Sequence, residues 1–269
     1  MDKTSTLTAY DRVRQARDSG RPTGLDYIHA LADDFIELHG DRRYADDPAM
    51  VGGIGLLEDR PVTLVAIEKG HNLKEHKRRN FGGPQPEGYR KALRLMKQAE
   101  KFGRSVICLI DTAGAFCGIG AEERGQGLAI AENMMEMSTL SVPIISVLIG
   151  EGGSGGALGL GYADRVWMLQ NSYYSVISPE GCASILWKDV KKADEAAENL
   201  HLTAEDARSL GVVDRIVKER DLGSSKFYAR MKRALLREIE TLEADPDLLG
   251  NRYRRFRRIG QEAQMNRPV

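Results

Sequence analysis

The sequence is poor in cysteine: Cys108, Cys117 and Cys182 are the only three in 269 residues, and none forms a C-x-x-C pair. A disulfide framework and a zinc ribbon are therefore not expected in this chain, and the odd count points to a reducing cytoplasm. A dominant charge of one sign is missing too, since 39 basic residues balance 39 acidic ones. No global field recruits nucleic acid or membrane, so any such contact must be local. Long apolar runs are absent. The best of them, "VPIISVLIG", is about half the length of a membrane span. The polar start "MDKTSTLTAYDRVRQARDSGRP" has no apolar h-region, so no signal peptide is expected. Internal repeats and low-complexity tracts are also lacking.

What is present is an alternation of strands and helices. Residues 1–24 read as a polar arm. An amphipathic helix follows in "LDYIHALADDFIELHG", with Leu25, Ile28, Leu31, Phe35 and Leu38 on one stripe. "MVGGIGLLEDRPVTLVAIEKG" reads as a hairpin turning at Glu58–Pro61. A loop from Gly70 to Pro86 precedes the helix "EGYRKALRLMKQAEKFG", stopped by Gly103. The strands "SVICLID" and "VPIISVLIG" are apolar enough to be buried on both faces. Each leads through small residues into a helix, "AEERGQGLAIAENMMEMSTL" and "SGGALGLGYA". The strand "DRVWMLQ", short helices around "SPEGCASILW" and "TAEDARSLG", the strand "VVDRIVK" and a long helix over about 224–245 complete the pattern. The expected fold is α/β, with a mixed, mainly parallel sheet and flanking helices in a domain over 25–245. Residues 246–269 form a basic tail, expected to serve an interface.

The segment "IGEGGSGGALGLG", residues 149–161, holds seven glycines in thirteen positions. Three chemistries overlap there. Gly150, Gly152 and Gly155 fit the dinucleotide fingerprint, but the next strand ends at Gln170 and Asn171, where a ribose-binding acid should stand. Gly152, Ser154 and Gly156 fit a nucleophile elbow, yet the sole downstream histidine, His201, lies in a polar stretch. A lysine base remains open. The third reading uses the backbone. A helix N-terminus carries unpaired N–H donors and the positive end of a dipole, and residues without Cβ let an oxygen approach. Gly155, Gly156 and Ala157 would then form an oxyanion hole, each donor stabilising a transition state by about 2.7–4 kcal/mol. Glycines serving only helix–sheet packing are the plain alternative.

"DTAGAFCGIGAEERG" repeats the arrangement, and Ala113, Gly114 and Ala115 could offer N–H groups from the side facing the first mouth. Together the two mouths suit an enolate or a similar developing oxyanion.

At these residues the chain resembles a known family. "DTAGAFCGIGAEERGQG", "VLIGEGGSGGALGLG" and "YSVISPEGCASILW" are similar to the carboxyltransferase α subunits of bacterial and plastid acetyl-CoA carboxylase. "KEHKRRNFGGPQPEGYRKALRLM" and the tail "NRYRRFRRIG" share the likeness, which covers roughly residues 10–260. The resemblance implies a crotonase-like ββα spiral. It implies carboxyl transfer from carboxybiotin on a biotin carboxyl carrier protein to acetyl-CoA, giving malonyl-CoA for fatty acid biosynthesis. It also implies a β-subunit partner bearing the zinc ribbon, an α2β2 heterotetramer, and a separate biotin carboxylase that uses ATP. The matching oxyanion donors are Gly155 and Gly156 with Ala157 beside them, then Gly114 and Ala115. Gly152, Gly153, Ser154, Ser178, Glu180 and Gly181 are the candidate biotin- and substrate-binding positions. Where the family commonly has prolines, this chain has Ala113 and Cys117.

Other features have plainer readings. "KGHNLKEHKRRN" reads as a solvated basic loop, or as a polyanion contact. Arg252, Arg254, Arg255, Arg257 and Arg258 around Tyr253 and Phe256 read as an interface. Met134, Met135 and Met137 follow the period of Leu128 and Ala131 and are expected in the core. Glu122 and Glu123 suit a helix start. A crotonase-type hydratase needs two acids, and only Glu180 stands in a suitable place, so hydration is a weak alternative. A related decarboxylase component, a serine peptidase of the same spiral and a non-catalytic assembly subunit are the other rivals.

Overall fold

The computed structural model describes residues 7–261. Its strands are β1 (Asp33–Glu37), β2 (Met50–Leu57), β3 (Arg60–Ile67), β4 (Ser105–Thr112), β5 (Ile144–Gly153), β6 (Arg165–Leu169), β7 (Tyr173–Ser175) and β8 (Arg215–Val217). They form one sheet in the order β1-β2-β3-β4-β5-β6-β8, with β7 also paired to β5. The first three strands are antiparallel neighbours, and every pairing from β3 onward is parallel. This is the mixed, mainly parallel α/β sheet expected from the sequence.

The helices are α1 (Ala9–Ala16), α2 (Gly24–Leu31), α3 (Leu73–Arg78), α4 (Pro86–Lys101), α5 (Ile119–Glu123), α6 (Gln126–Met137), α7 (Ser154–Gly161), α8 (Pro179–Trp187), α9 (Ala193–Asn199), α10 (Ala204–Ser209), α11 (Ser225–Glu243) and α12 (Leu248–Arg258). They cover both faces of the sheet. All eight residues of β4 are buried, because alternate side chains enter opposite layers. Val106, Cys108 and Ile110 meet Tyr89, Met96, Ala129 and Ala157 from α4, α6 and α7. Ile107 and Leu109 meet Tyr27, Ile28 and Leu31 from α2 and Phe227, Leu235 and Ile239 from α11. The double burial explains the unbroken apolar runs. No helix among the described residues is long and apolar enough to cross a membrane.

The structure corrects several expectations. The stripe from Leu25 to Leu38 is not one helix: α2 ends at Leu31, Ala32 is extended, and Phe35 lies in β1, paired antiparallel with β2. The loop after Gly70 contains α3. The helix expected over 121–140 is broken at Gly125, whose φ of 81° turns the chain between α5 and α6. That turn resets the helix phase, so α6 buries Gln126, Ala129, Asn133 and Met137, while Leu128 and Met135 are exposed. Within the arm, α1 packs Val13 and Ala16 against Tyr173, Ala197 and Leu202. In the tail, Arg252 and Arg255 turn inward to Asp164 and Asp214 of their own chain, whereas Tyr253 and Arg254 stay exposed. Residues 262–269 of that tail lie outside the described residues.

Candidate active site

β4 and β5 lie side by side and parallel, so their C-terminal ends deliver the two small-residue loops to the same edge. At the end of β5 the chain turns through Ser154, held at φ 53°, into α7. The N-cap is Gly153, with no side-chain cap. Ser154, Gly155 and Gly156 therefore carry the N–H groups that the helix leaves without partners. Ala157, the fourth helical residue, has the first N–H that the helix uses itself.

The loop after β4 meets this mouth backbone to backbone. A Cβ on Gly156 would lie 2.4 Å from the Ala115 nitrogen and 2.7 Å from the Gly114 carbonyl carbon. The Gly114 N–H is taken by the Thr112 hydroxyl at 3.0 Å, and that hydroxyl donates to the Gly114 carbonyl at 2.8 Å. The Phe116 N–H goes to the Pro84 carbonyl. Between them, Ala115 has no acceptor among the described residues. The loop thus leaves the Ala115 N–H beside Gly156, while the Gly114 N–H is held by Thr112. Beside this mouth, Ser154, Gly155, Leu158, Tyr174, Ser175, Val176 and Val212 line a cavity of about 310 Å³.

The remaining glycines of the turn answer to packing. A Cβ on Gly150 would strike the Asp111 carboxylate at 2.4 Å, one on Gly152 the Leu148 side chain at 2.2 Å, and one on Gly153 the Ala113 carbonyl oxygen at 2.1 Å. Gly152 and Gly153 are buried, as is Gly156. Asp111 accepts from the Glu151 N–H at 2.9 Å and pairs with Lys69 at 2.7 Å. Burial pushes its carboxyl up, and the Lys69 charge opposes that. Lys69 is thereby taken out of the basic loop, and Arg79 is buried with its guanidinium on the Pro48 carbonyl.

The expected wall residues have other duties. Ser178 caps α8 by accepting from the Gly181 N–H at 3.1 Å. Glu180 accepts from Arg17 at 2.6 Å and from the Tyr10 hydroxyl at 3.1 Å, and Arg17 also reaches Glu151 at 2.8 Å. Burial raises the Glu180 carboxyl, but Arg17 and Tyr10 bring it to a net value below normal. None of the three lines the cavity, whose wall is formed by Ser175 and Val176 instead. Ser154 is exposed, and among the described residues neither a histidine nor a lysine hydrogen-bonds its hydroxyl, so no base is in place at the elbow.

A sequence model described as "Acetyl co-enzyme A carboxylase carboxyltransferase-like" matches residues 1–260. The chain belongs to this family. A curated relative from Streptococcus equi subsp. equi (strain 4047), the acetyl-coenzyme A carboxylase carboxyl transferase subunit alpha, is 60% identical over 248 residues, covering 91% of this chain and 97% of the relative. The protein of that name from Streptococcus pyogenes serotype M5 (strain Manfredo) is 58% identical over 255 residues, covering 94% and 100%. Among solved structures, a Pseudomonas malonate decarboxylase hetero-tetramer in complex with coenzyme A has a TM-score of 0.68 at 19% identity, covering 86% of this chain and 92% of that one. The transcarboxylase 12S core has 0.66 at 20%, covering 87% and 45%. These likenesses establish the crotonase-like carboxyltransferase fold.

Within this family member, sequence reasoning missed the side chains that hold α7. Tyr89 donates to the Gly156 carbonyl at 2.9 Å, Asn133 to that of Gly159 at 3.2 Å and Ser146 to that of Leu160 at 2.5 Å. They come from α4, α6 and β5, so no local pattern links them to the turn. Thr112 was visible in the quoted motif, but its hydroxyl could be assigned only once the loop was folded.

Proposed function

We propose that the chain is the α subunit of a biotin-dependent acetyl-CoA carboxyltransferase, working with a β subunit to carry a carboxyl group from biotin to acetyl-CoA. Carboxybiotin, borne on a carrier protein, supplies the carboxyl group and, once relieved of it, a base for the acetyl α-carbon. This chain's own part is to bind and orient. The N–H groups of Gly155 and Gly156, with that of Ala115, hold the ureido oxygen of the biotin. An oxygen that gains negative charge suits them, because they sit at the positive end of a helix dipole and are fixed before the reaction begins. The observation that carries this reading is the Ala115 N–H, which has no acceptor among the described residues and lies against Gly156 in the first turn of α7.

One chain offers one such mouth, while the thioester oxygen needs another, so the β subunit is assigned to acetyl-CoA and the zinc ribbon. An α2β2 assembly, a biotin carboxyl carrier protein and an ATP-using biotin carboxylase complete the scheme, in a cytoplasmic setting. The test is an assay of malonyl-CoA-dependent carboxylation of free biotin, with this chain alone and with a zinc-ribbon β subunit. Turnover only with the partner is expected. Turnover of an enoyl-CoA by the chain alone would replace the proposal with a hydratase.

A further inference from the structure

Away from this site, the loop after β1 and the outer faces of α4 and α6 enclose a cavity of about 350 Å³ lined by Asp41, Arg42, Arg43, Arg90, Leu93, Arg94, Lys97 and Glu132. Its two acids are already committed. Asp41 pairs with Arg90 at 2.8 Å, and Glu132 with Arg43 at 2.8 Å. Lys97 reaches out of the cavity to Glu136, also at 2.8 Å. Arg42 and Arg94 are left, and neither has a carboxylate partner among the described residues. Both donate to the same oxygen, the His39 carbonyl, at 2.9 and 3.2 Å, and Arg94 also donates to the Gly40 carbonyl at 3.0 Å. Two guanidinium groups are thus gathered on neutral acceptors, and the acids nearby, Asp41 and Asp46, are each paired with another cation, Arg90 and Lys91. Burial and the neighbouring Arg42 charge hold Arg94 below the usual guanidinium range, against the pull of Asp46 and Asp41.

Two like charges held together cost free energy unless an anion joins them. We propose that this cavity binds a phosphate monoester, its dianion bridging Arg42 and Arg94. A guanidinium presents parallel donors that match phosphate oxygens, and a dianion balances the two unpaired charges. The volume exceeds what a free phosphate fills and falls within the range of small-ligand sites, which leaves room for the esterified group. Arg90 ties the cavity to the rest of the molecule. Besides Asp41, it donates to the Arg124 carbonyl at 3.0 Å, next to the Gly125 turn that starts α6.

The test is isothermal titration calorimetry on the full-length chain, with inorganic phosphate and with ribose 5-phosphate as probes and chloride at matched ionic strength as the control. Saturable binding is expected, weakened by about tenfold or more in Arg42→Ala and in Arg94→Gln. Arg42 is exposed, so its variant keeps the fold even if Arg94→Gln does not. Tighter binding of the ester than of inorganic phosphate is expected, and an affinity for the ester no greater than for inorganic phosphate overturns the assignment of a monoester. Absence of saturable binding, or binding unchanged in Arg42→Ala, overturns the proposal.

Discussion

Gly156 and Ala115 touch through their backbones: a Cβ on the first would stand 2.4 Å from the amide nitrogen of the second. Real Cβ atoms do not come so close, and the obstacle is main chain rather than the end of a flexible side chain. Gly156→Ala must therefore push the loop after β4 away from α7. Carboxyl transfer by the assembled α–β pair is expected to lose about a hundredfold in kcat, the scale of one lost oxyanion donor, with KM for acetyl-CoA little changed. Steady-state kinetics within a few-fold of wild type would remove Gly156 from the site.

Ser154 gives the opposite expectation. It is exposed, and its hydroxyl makes no hydrogen bond among the described residues, so Ser154→Ala should keep near wild-type activity. Its φ of 53° is costly for any residue with a Cβ. Ser154→Gly should relieve that strain and change stability by no more than about 1 kcal/mol, since the gain is offset by a more flexible unfolded chain. Urea denaturation and the biotin carboxylation assay check both variants. Loss of all turnover in Ser154→Ala would revive the nucleophile.

Asp47 should make stability depend on pH. Burial pushes its carboxyl up to about 6, against the N–H groups of Ala49 and Gln85 and the charge of Lys91. The folded chain thus holds this proton more tightly than the unfolded one, where the group titrates near 3.9. The stability from the protonated form is complete below the unfolded value and is lost as pH rises through the folded one. Between pH 5 and pH 7, wild type should lose about 1 kcal/mol relative to Asp47→Asn in urea denaturation. An unchanged difference would mean that Asp47 titrates elsewhere.

Arg252 should matter far more than its neighbours in the tail. Its guanidinium meets both oxygens of the buried Asp164 at 2.8 Å and the carbonyls of Met137, Leu140 and Val142. Arg252→Ala leaves Asp164 charged, buried and short of its partner, at a cost of about 3–5 kcal/mol. Arg254→Ala removes an exposed pair with Asp247 and should stay within about 0.5 kcal/mol. Equal losses in chemical denaturation would show that the tail is not anchored through Arg252.

The legible parts of this molecule were those encoded locally. Runs such as "SVICLID" announced buried strands, and small residues after them marked the two helix mouths. Phase and partnership were not local. The stripe from Leu25 to Leu38 has helical spacing, yet Phe35 is drawn into β1 because the edge of β2 offers hydrogen-bond partners. Of the methionines of α6, Met137 is in the core as its spacing implies, whereas Met135 is exposed because Gly125 rotates the helix that follows it. The Arg252 pairing spans 88 residues to Asp164, a distance over which a basic tail reads like any other. In the site, the glycines looked alike in sequence. All four Cβ positions meet protein atoms, and what sets Gly156 apart is that its neighbour is the Ala115 N–H, which has no acceptor among the described residues.

β5 has one further consequence. Along one side it pairs with β4 over Ile144–Leu148 and again at Gly152, while on the other β6 takes Ile145–Leu148 and β7 takes Glu151–Gly153. A strand held on both margins as far as Gly152 leaves the turn at Ser154 little slack in which to wander. The entropy of ordering the amides behind that turn is thus met once, when the sheet forms, rather than at every catalytic cycle.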